Sequence, residues 1–328
     1  MHFLEVAGIS KKEQKGDILQ NISFQQEQFQ KIAIAGETGS GKSTLLKIIA
    51  GLLQPDAGKV FLEGDRVFGP AEQLVAGHPE IAYLSQHFEL PEFLRVEQAL
   101  RYANTLTAQE AEHLYEICQI SHLLQRRTDE LSGGEKQRIA LTRLLTTSPR
   151  LLLLDEPFSN LDTAHKNELK TVIQDLGEQL DITCLLISHD PLDTLSWADE
   201  ILVMRDGNIQ QQGTPEQIYQ SPINEYVASL FGKFNLFPPS LATQLKESLK
   251  ENSAGKSLFV RPENLKVTEH NTSGVSAVVH QITYYGSYHE LNLSVKDQLY
   301  TARVTGQVKF SSGNRVTLWV EEDFVWYI

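Results

Sequence analysis

Cysteine is nearly absent from this sequence. Cys118 and Cys184 are its only two, at a spacing that fits neither a metal-ligand pair nor a disulfide framework, so a stapled secreted scaffold and a cysteine zinc site are both excluded. Basic residues are also scarce. The 29 Lys and Arg stand against 42 Asp and Glu, leaving a net charge of −13, which opposes non-specific attraction to DNA or RNA backbones. No nucleic-acid partner is expected. Long apolar runs are missing too: stretches such as Ile182–Ile187 and Ile201–Met204 fall far short of the ~18 residues that would suggest a membrane-spanning helix. The amino-terminal Met1-His2-Phe3-Leu4-Glu5-Val6 has no basic region followed by an apolar stretch and a small-residue cleavage site. A protein of the reducing cytosol is expected.

The 328 residues are enough for two domains at roughly 150 residues each. Hydrophobic residues make up 41% and charged residues 22%, the range of a folded globular chain. Phe237-Pro238-Pro239-Ser240 and Asn252-Ser253-Ala254-Gly255 interrupt the periodic patterns before them, which places a boundary between residues 1–232 and 233–328. From Lys233 onward ten Lys and Arg face nine Asp and Glu, a net +1, so the first part carries −14.

In the first part apolar strand-like runs at Lys31–Ala35, Leu151–Leu154 and Ile182–Ile187 alternate with helical patterns, an α/β signature. Leu151-Leu152-Leu153-Leu154 lacks alternation, as expected of a strand buried on both faces of a parallel sheet. Between Gln86 and Leu145 the pattern is mostly helical, with apolar Leu100, Leu114, Ile117, Leu123 and Leu124, which predicts a helical insertion. The second part reads as short strands at Ser257–Val260, Ser276–Thr283, His289–Val295, Leu299–Val304, Arg315–Val320 and Phe324–Ile328, separated by Gly, Asn and Asp. A small β-barrel is expected there.

Three segments carry chemistry. Gly36-Glu37-Thr38-Gly39-Ser40-Gly41-Lys42-Ser43-Thr44 fits G-x-x-x-x-G-K-[ST] between a strand and an apolar helix. Its glycines let successive N–H groups turn towards phosphates, and the following helix adds its positive end. Lys42 would reach the β and γ phosphates of a nucleotide, and the Ser43 hydroxyl would ligate Mg²⁺. Asp155-Glu156 ends the Leu151–Leu154 strand, where α/β sheets present their ligand crevice. Asp155 would hold Mg²⁺ through water, and Glu156 would act as general base on the water attacking the γ phosphate. Leu131-Ser132-Gly133-Gly134-Glu135 opens a helix with the S-x-x-E capping spacing, while its adjacent glycines bare a helix N-terminus to which an anion could come close. By itself this third segment reads equally as a capped helix or an anion site.

Together with Tyr83-Leu84-Ser85-Gln86, Ser159-Asn160-Leu161-Asp162 and Ser188-His189-Asp190, these segments resemble, in colinear order, the six motifs of the nucleotide-binding subunits of ABC transporters: Walker A, Q-loop, signature, Walker B, D-loop and switch histidine. The resemblance implies a homodimer sandwiching two ATP molecules. Ser132, Gly133, Gly134 and Glu135 of one chain would face the ATP of the other, Gln86 would touch Mg²⁺ and the attacking water, His189 would contact the γ phosphate, and Asp162 would belong to the D-loop. The segment from Ala198 to Tyr219 and then Phe259-Val260-Arg261-Pro262-Glu263-Asn264-Leu265 are similar to importer-type ATPases with a carboxyl-terminal TOBE domain, an OB-like barrel that in some members binds a regulatory ligand. This implies an ATP hydrolase peripheral on the inner face of the membrane. Its partners would be transmembrane permease subunits and, indirectly, a periplasmic or surface solute-binding protein. The resemblance extends to importers of inorganic ions, polyamines and sugars, and a carboxyl-terminal domain short for the sugar importers points to an inorganic ion such as ferric iron, or to a polyamine, as cargo. A soluble ABC ATPase acting on ribosomes or DNA, or an exporter subunit, fits less well, given one ATPase unit and the carboxyl-terminal domain. One departure stands out: Ser10 to Gly16 offers no aromatic residue where the family usually stacks one on adenine.

Overall fold

The structure is a computed structural model that describes residues 2–13, 16–86, 90–159, 161–245, 255–269, 274–321 and 325–328. Gln14, Lys15, Asn160, 252–254 and Phe324, which figure in the sequence reading, lie outside these. The chain divides into two compact units, Met1–Pro215 and Glu216–Ile328.

The first unit runs β1 (Leu4–Glu13), β2 (Gly16–Gln26), β3 (Lys31–Ala35), α1 (Lys42–Ile49), β4 (Ala57–Leu62), β5 (Asp65–Val67), β6 (Ile81–Leu84), α2 (Val96–Arg101), α3 (Ala108–Ile117), α4 (Gly133–Leu145), β7 (Leu151–Asp155), α5 (Thr163–Gln179), β8 (Thr183–Ile187), α6 (Pro191–Leu195), β9 (Glu200–Arg205) and β10 (Asn208–Gly213). A six-stranded sheet has the order β10-β9-β3-β8-β7-β6. Its strands from β9 to β6 pair in parallel, and β10 closes one edge antiparallel to β9. Successive side chains of a strand point to opposite faces, so one strand feeds two cores. Leu151 and Leu153 pack with Ile32, Ile34 and Leu185 against α1 and the β1/β2 side. Leu152 and Leu154 pack with Leu186 against Ile139, Leu141 and Leu176 of the helical side. That is why β7 reads as an unbroken apolar run. The insertion between Gln86 and Leu145 is helical, built from α2, α3 and α4. A second, antiparallel sheet of order β2-β1-β4-β5 supplies Leu4, Val6 and Ile9 to the first core.

The second unit contains α7 (Pro215–Gln220, beginning at the last residue of the first unit), α8 (Glu225–Leu230), β11 (Asn235–Phe237), α9 (Pro239–Leu245), β12 (Leu258–Val260), β13 (Leu265–Thr268), β14 (Val275–Tyr284), β15 (His289–Val295), β16 (Gln298–Val304), β17 (Arg315–Val320) and β18 (Trp326–Tyr327). Its sheets, β11-β12-β18 and β13-β17-β14-β15-β16, are antiparallel throughout, consistent with the OB-like barrel expected here. They enclose one core that includes Phe237, Leu291, Leu293 and Leu318. Arg261 is among the largest fully buried side chains. Its guanidinium donates to the carbonyls of Tyr219, Ala228, Gly232 and Lys233 and lies over the rings of Tyr219 and Phe259, 4.1 and 4.9 Å from their centroids. One side chain thereby ties residues 219–233 to the end of β12.

Candidate functional site

The loop between β3 and α1 turns through positive φ at Gly36 (154°), Gly39 (87°) and Gly41 (96°). Two of these glycines are also demanded by space. A Cβ on Gly36 would lie 2.3 Å from the Met204 carbonyl oxygen, and one on Gly41 2.7 Å from that of Ile18. Lys42 is buried, and its ammonium donates to the carbonyls of Gly36 and Glu37, both at 2.8 Å. Burial lowers its pKa, opposed by the charges of Glu156, Asp155 and Glu37.

Parallel register sets β7 beside β6 and β8, so Asp155 emerges between residues of three separate motifs. The Ser43 hydroxyl donates to Asp155 Oδ1 at 3.0 Å. The Tyr83 hydroxyl donates to Oδ2 at 2.8 Å. Burial first, and then that hydrogen bond, pushes the Tyr83 phenol well above its ordinary range. The sequence reading gave Tyr83 no role, although a phenol in the otherwise apolar Ile81–Leu84 was a visible sign.

Glu156 follows with φ 50°, a left-handed conformation costing a non-glycine residue about 1–2 kcal/mol. Its amide bonds to the Ile187 carbonyl at 3.0 Å, and its own carbonyl accepts the Ser159 amide and hydroxyl. This turn swings the carboxylate out of line with the strand. Gln86 Nε2 and His189 Nδ1 both lie 3.3 Å from Glu156 Oε2. Gln86, Glu156 and His189 thus wall one cavity of about 280 Å³.

The His189 loop is held from beneath. Asp193, a carboxylate with a side chain only 2% exposed, pairs with Lys166 at 2.8 Å and Lys170 at 2.7 Å of α5 and accepts the Ser188 hydroxyl at 3.0 Å. Lys166 also reaches Asp190 at 2.5 Å. None of the pairs that Lys166 and Lys170 make with this loop was legible in the sequence.

Ser132, Gly133, Gly134 and Glu135 do not line that cavity. They form the expected capping box at the start of α4: Ser132 Oγ accepts the Glu135 amide, and Glu135 accepts the Ser132 amide at 2.7 Å. Glu135 also pairs with Arg126. Burial works against its charge, yet the bonds from Ser132 and Arg126 hold its carboxyl below the usual range. Asp162 caps α5, accepting from the amides of Ala164 and His165. Between Ser10 and Gly16, Lys11 pairs with Asp56 and Lys12 with Asp17, which leaves the described residues there with charged rather than aromatic chemistry.

The donors near Asp155 are hard oxygens, from the Ser43 hydroxyl and the carboxylate itself. No group of three or more His, Cys, Asp or Glu side chains that could hold a metal exists among the described residues. Such a set fits Mg²⁺, which relies on one or two carboxylates and on the phosphates of its nucleotide rather than on a protein cage.

A glycine-rich loop between a buried strand and a helix, facing acids at the end of a parallel strand two places along the same sheet, defines a P-loop nucleoside triphosphatase. The ABC transporter family pattern matches residues 19–159 and the TOBE domain pattern residues 258–327. The chain is 34% identical over 276 residues to a sulfate/thiosulfate import ATP-binding protein CysA of Thermosynechococcus vestitus, covering 81% of this chain and 79% of the relative. It is 28% identical over 314 residues to the Fe(3+) ions import ATP-binding protein FbpC of Photorhabdus laumondii, covering 90% and 88%. Among solved structures, cbiO1 of Clostridium perfringens superposes with a TM-score of 0.59 at 25% identity, covering 66% of this chain and 90% of that one. The ADP conformation of the ATP-binding cassette MJ1267 gives 0.59 at 26%, covering 70% and 98%. The chain belongs to the ATP-binding subunits of ABC transporters, of the import type with a carboxyl-terminal TOBE domain, and is accordingly an ATP hydrolase. No helix among the described residues is long and apolar enough to cross a membrane.

Proposed function

We propose that this chain powers a membrane importer of an inorganic ion, working as a homodimer peripheral on the inner face of the membrane and bound to transmembrane permease subunits. The observation that carries the catalytic reading is the meeting of Gln86 and His189 on one oxygen of Glu156. In this reading the P-loop amides and Lys42 bind the triphosphate, and Glu156 takes the proton of the attacking water. His189 and Gln86 orient that carboxylate and the γ phosphate. Ser43 and Asp155 would hold Mg²⁺, which neutralises phosphate charge when bound. The amino terminus of α4 would face the nucleotide of the second copy, where its positive end favours anions.

The names of the relatives favour ferric iron or sulfate as cargo over a polyamine, and a solute-binding protein outside the membrane would deliver it. Affinity purification from gently solubilised cells is expected to recover a stoichiometric permease; ribosomal or DNA-repair proteins without one would reject the importer reading. Uptake of labelled iron, sulfate and polyamine in a deletion strain then separates the cargoes. For the catalytic reading, Glu156→Gln is expected to bind ATP, to hydrolyse it ~10²–10⁴-fold more slowly and to accumulate as an ATP-bound dimer. Wild-type turnover in this variant would remove Glu156 as the base.

A further inference from the structure

Gly133 and Gly134 are adjacent, yet the structure gives them different reasons to be glycine. A Cβ on Gly133 would meet nothing within 4 Å, whereas one on Gly134 would lie 2.7 Å from Cδ2, 2.9 Å from Cγ and 2.9 Å from Cβ of His165. Gly134 is helical, with no positive φ, so backbone conformation does not demand glycine there. The His165 ring does, because it lies directly on the bare backbone of the first turn of α4. The other edge of the ring is fixed as well. Nδ1 is 2.7 Å from Asp162 Oδ2, and beside a carboxylate that nitrogen carries the hydrogen and donates. The second oxygen of Asp162 accepts the amides of Ala164 and His165, each at 3.0 Å. Asp162 is therefore fully engaged, and His165 is the piece that joins it to α4.

We propose that His165 is a positioning residue that locks the Asp162 loop to the amino-terminal turn of α4, so that both segments meet the second copy as one rigid edge. The inference rests on the dimeric reading above, in which α4 and Asp162 face the nucleotide-bearing partner. Substitution at 165 leaves the α5 cap in place, because the Ala164 and His165 amides donate whatever the side chain. Loss of folding is thus not the expected result. His165→Ala removes both the ring and the bond to Asp162, while His165→Asn keeps a short amide donor that can reach Oδ2.

The test uses full-length protein and measures three things: steady-state ATPase kinetics, ATP-driven dimerisation in the Glu156→Gln background by light scattering, and melting temperature. His165→Ala is expected to lower kcat roughly 10- to 100-fold, the scale of a misplacement of about 1 Å, and to raise the ATP concentration needed for dimerisation. The affinity of the monomer for ATP should stay unchanged. His165→Asn should recover most of both losses. Wild-type kinetics and dimerisation in His165→Ala would overturn the proposal, as would equal impairment of the Ala and Asn variants or losses that merely track melting temperature. Failure of the Glu156→Gln protein itself to dimerise with ATP would instead overturn the underlying dimeric reading.

Discussion

Tyr83 and Asp155 lie on neighbouring parallel strands, and the phenol donates a 2.8 Å hydrogen bond to the carboxylate that also receives Ser43. The tyrosine therefore fixes the plane of the acid expected to serve the cation. Tyr83→Phe removes one bond to a charged group and leaves Ser43 in place. The variant should raise the KM for Mg²⁺-ATP several-fold while kcat falls less, and should lose about 1–3 kcal/mol of stability. Kinetics at varied Mg²⁺ together with urea unfolding measure both, and an unchanged Mg²⁺ dependence would show that the phenol only packs.

Lys42 satisfies its ammonium with the carbonyls of Gly36 and Glu37, so the loop holds its shape around a buried cation. Replacing it by alanine deletes charge-assisted bonds to phosphate worth about 3 kcal/mol or more, a loss of roughly 100-fold in ATP affinity. Calorimetric titration with ATP reads this directly. Affinity within a few-fold of wild type would remove Lys42 from phosphate binding.

Acid should weaken the first unit through its helix caps. The amide and imidazole of His165 hold the Asp162 carboxyl below its ordinary 3.8, and Glu135 sits below its ordinary 4.5. For a depressed carboxyl the unfolded chain binds more protons between the two values, so stability rises with pH there. The contribution is complete above the ordinary value and disappears as pH falls through the folded one. Asp162→Asn keeps a good cap but no longer titrates. Its melting temperature should lie below wild type at neutral pH and fall less steeply below about pH 4, so that the two curves converge. Parallel curves for the two proteins would contradict the assignment.

Arg261 donates to four carbonyls inside the second unit. Arg261→Met preserves much of its volume yet strands those acceptors, at a cost of about 3 kcal/mol or more. Fluorescence of Trp319 and Trp326 during urea unfolding should report an earlier transition for this unit. No shift in the midpoint would mean that water replaces the guanidinium without loss.

Legibility in the sequence followed range. The P-loop, the acids ending β7 and the capping box of α4 are set by neighbours in the chain, so their residue patterns announced them. The Lys166 and Lys170 pairs with Asp193 and the bond from Tyr83 to Asp155 join residues far apart, and only strand register brings them together. β1 escaped notice for another reason: its ladder with β2 shifts register between Val6 and Ile9, which breaks the alternation that marks a half-buried strand. In the second unit β11 and β13 were not legible because turn-forming residues adjoin them, Pro238 after the one and Pro262-Glu263-Asn264 before the other. There the Pro239–Leu245 helix was unannounced beside Pro238 and Pro239.

The carbonyls of Gly36 and Glu37 already occupy the Lys42 ammonium. An arriving triphosphate must displace those partners before it gains its own, so binding here is an exchange rather than an addition. When the phosphates leave, the same carbonyls would take the ammonium back. A pump that must reload on every stroke gains more from such an exchange than from a tighter grip.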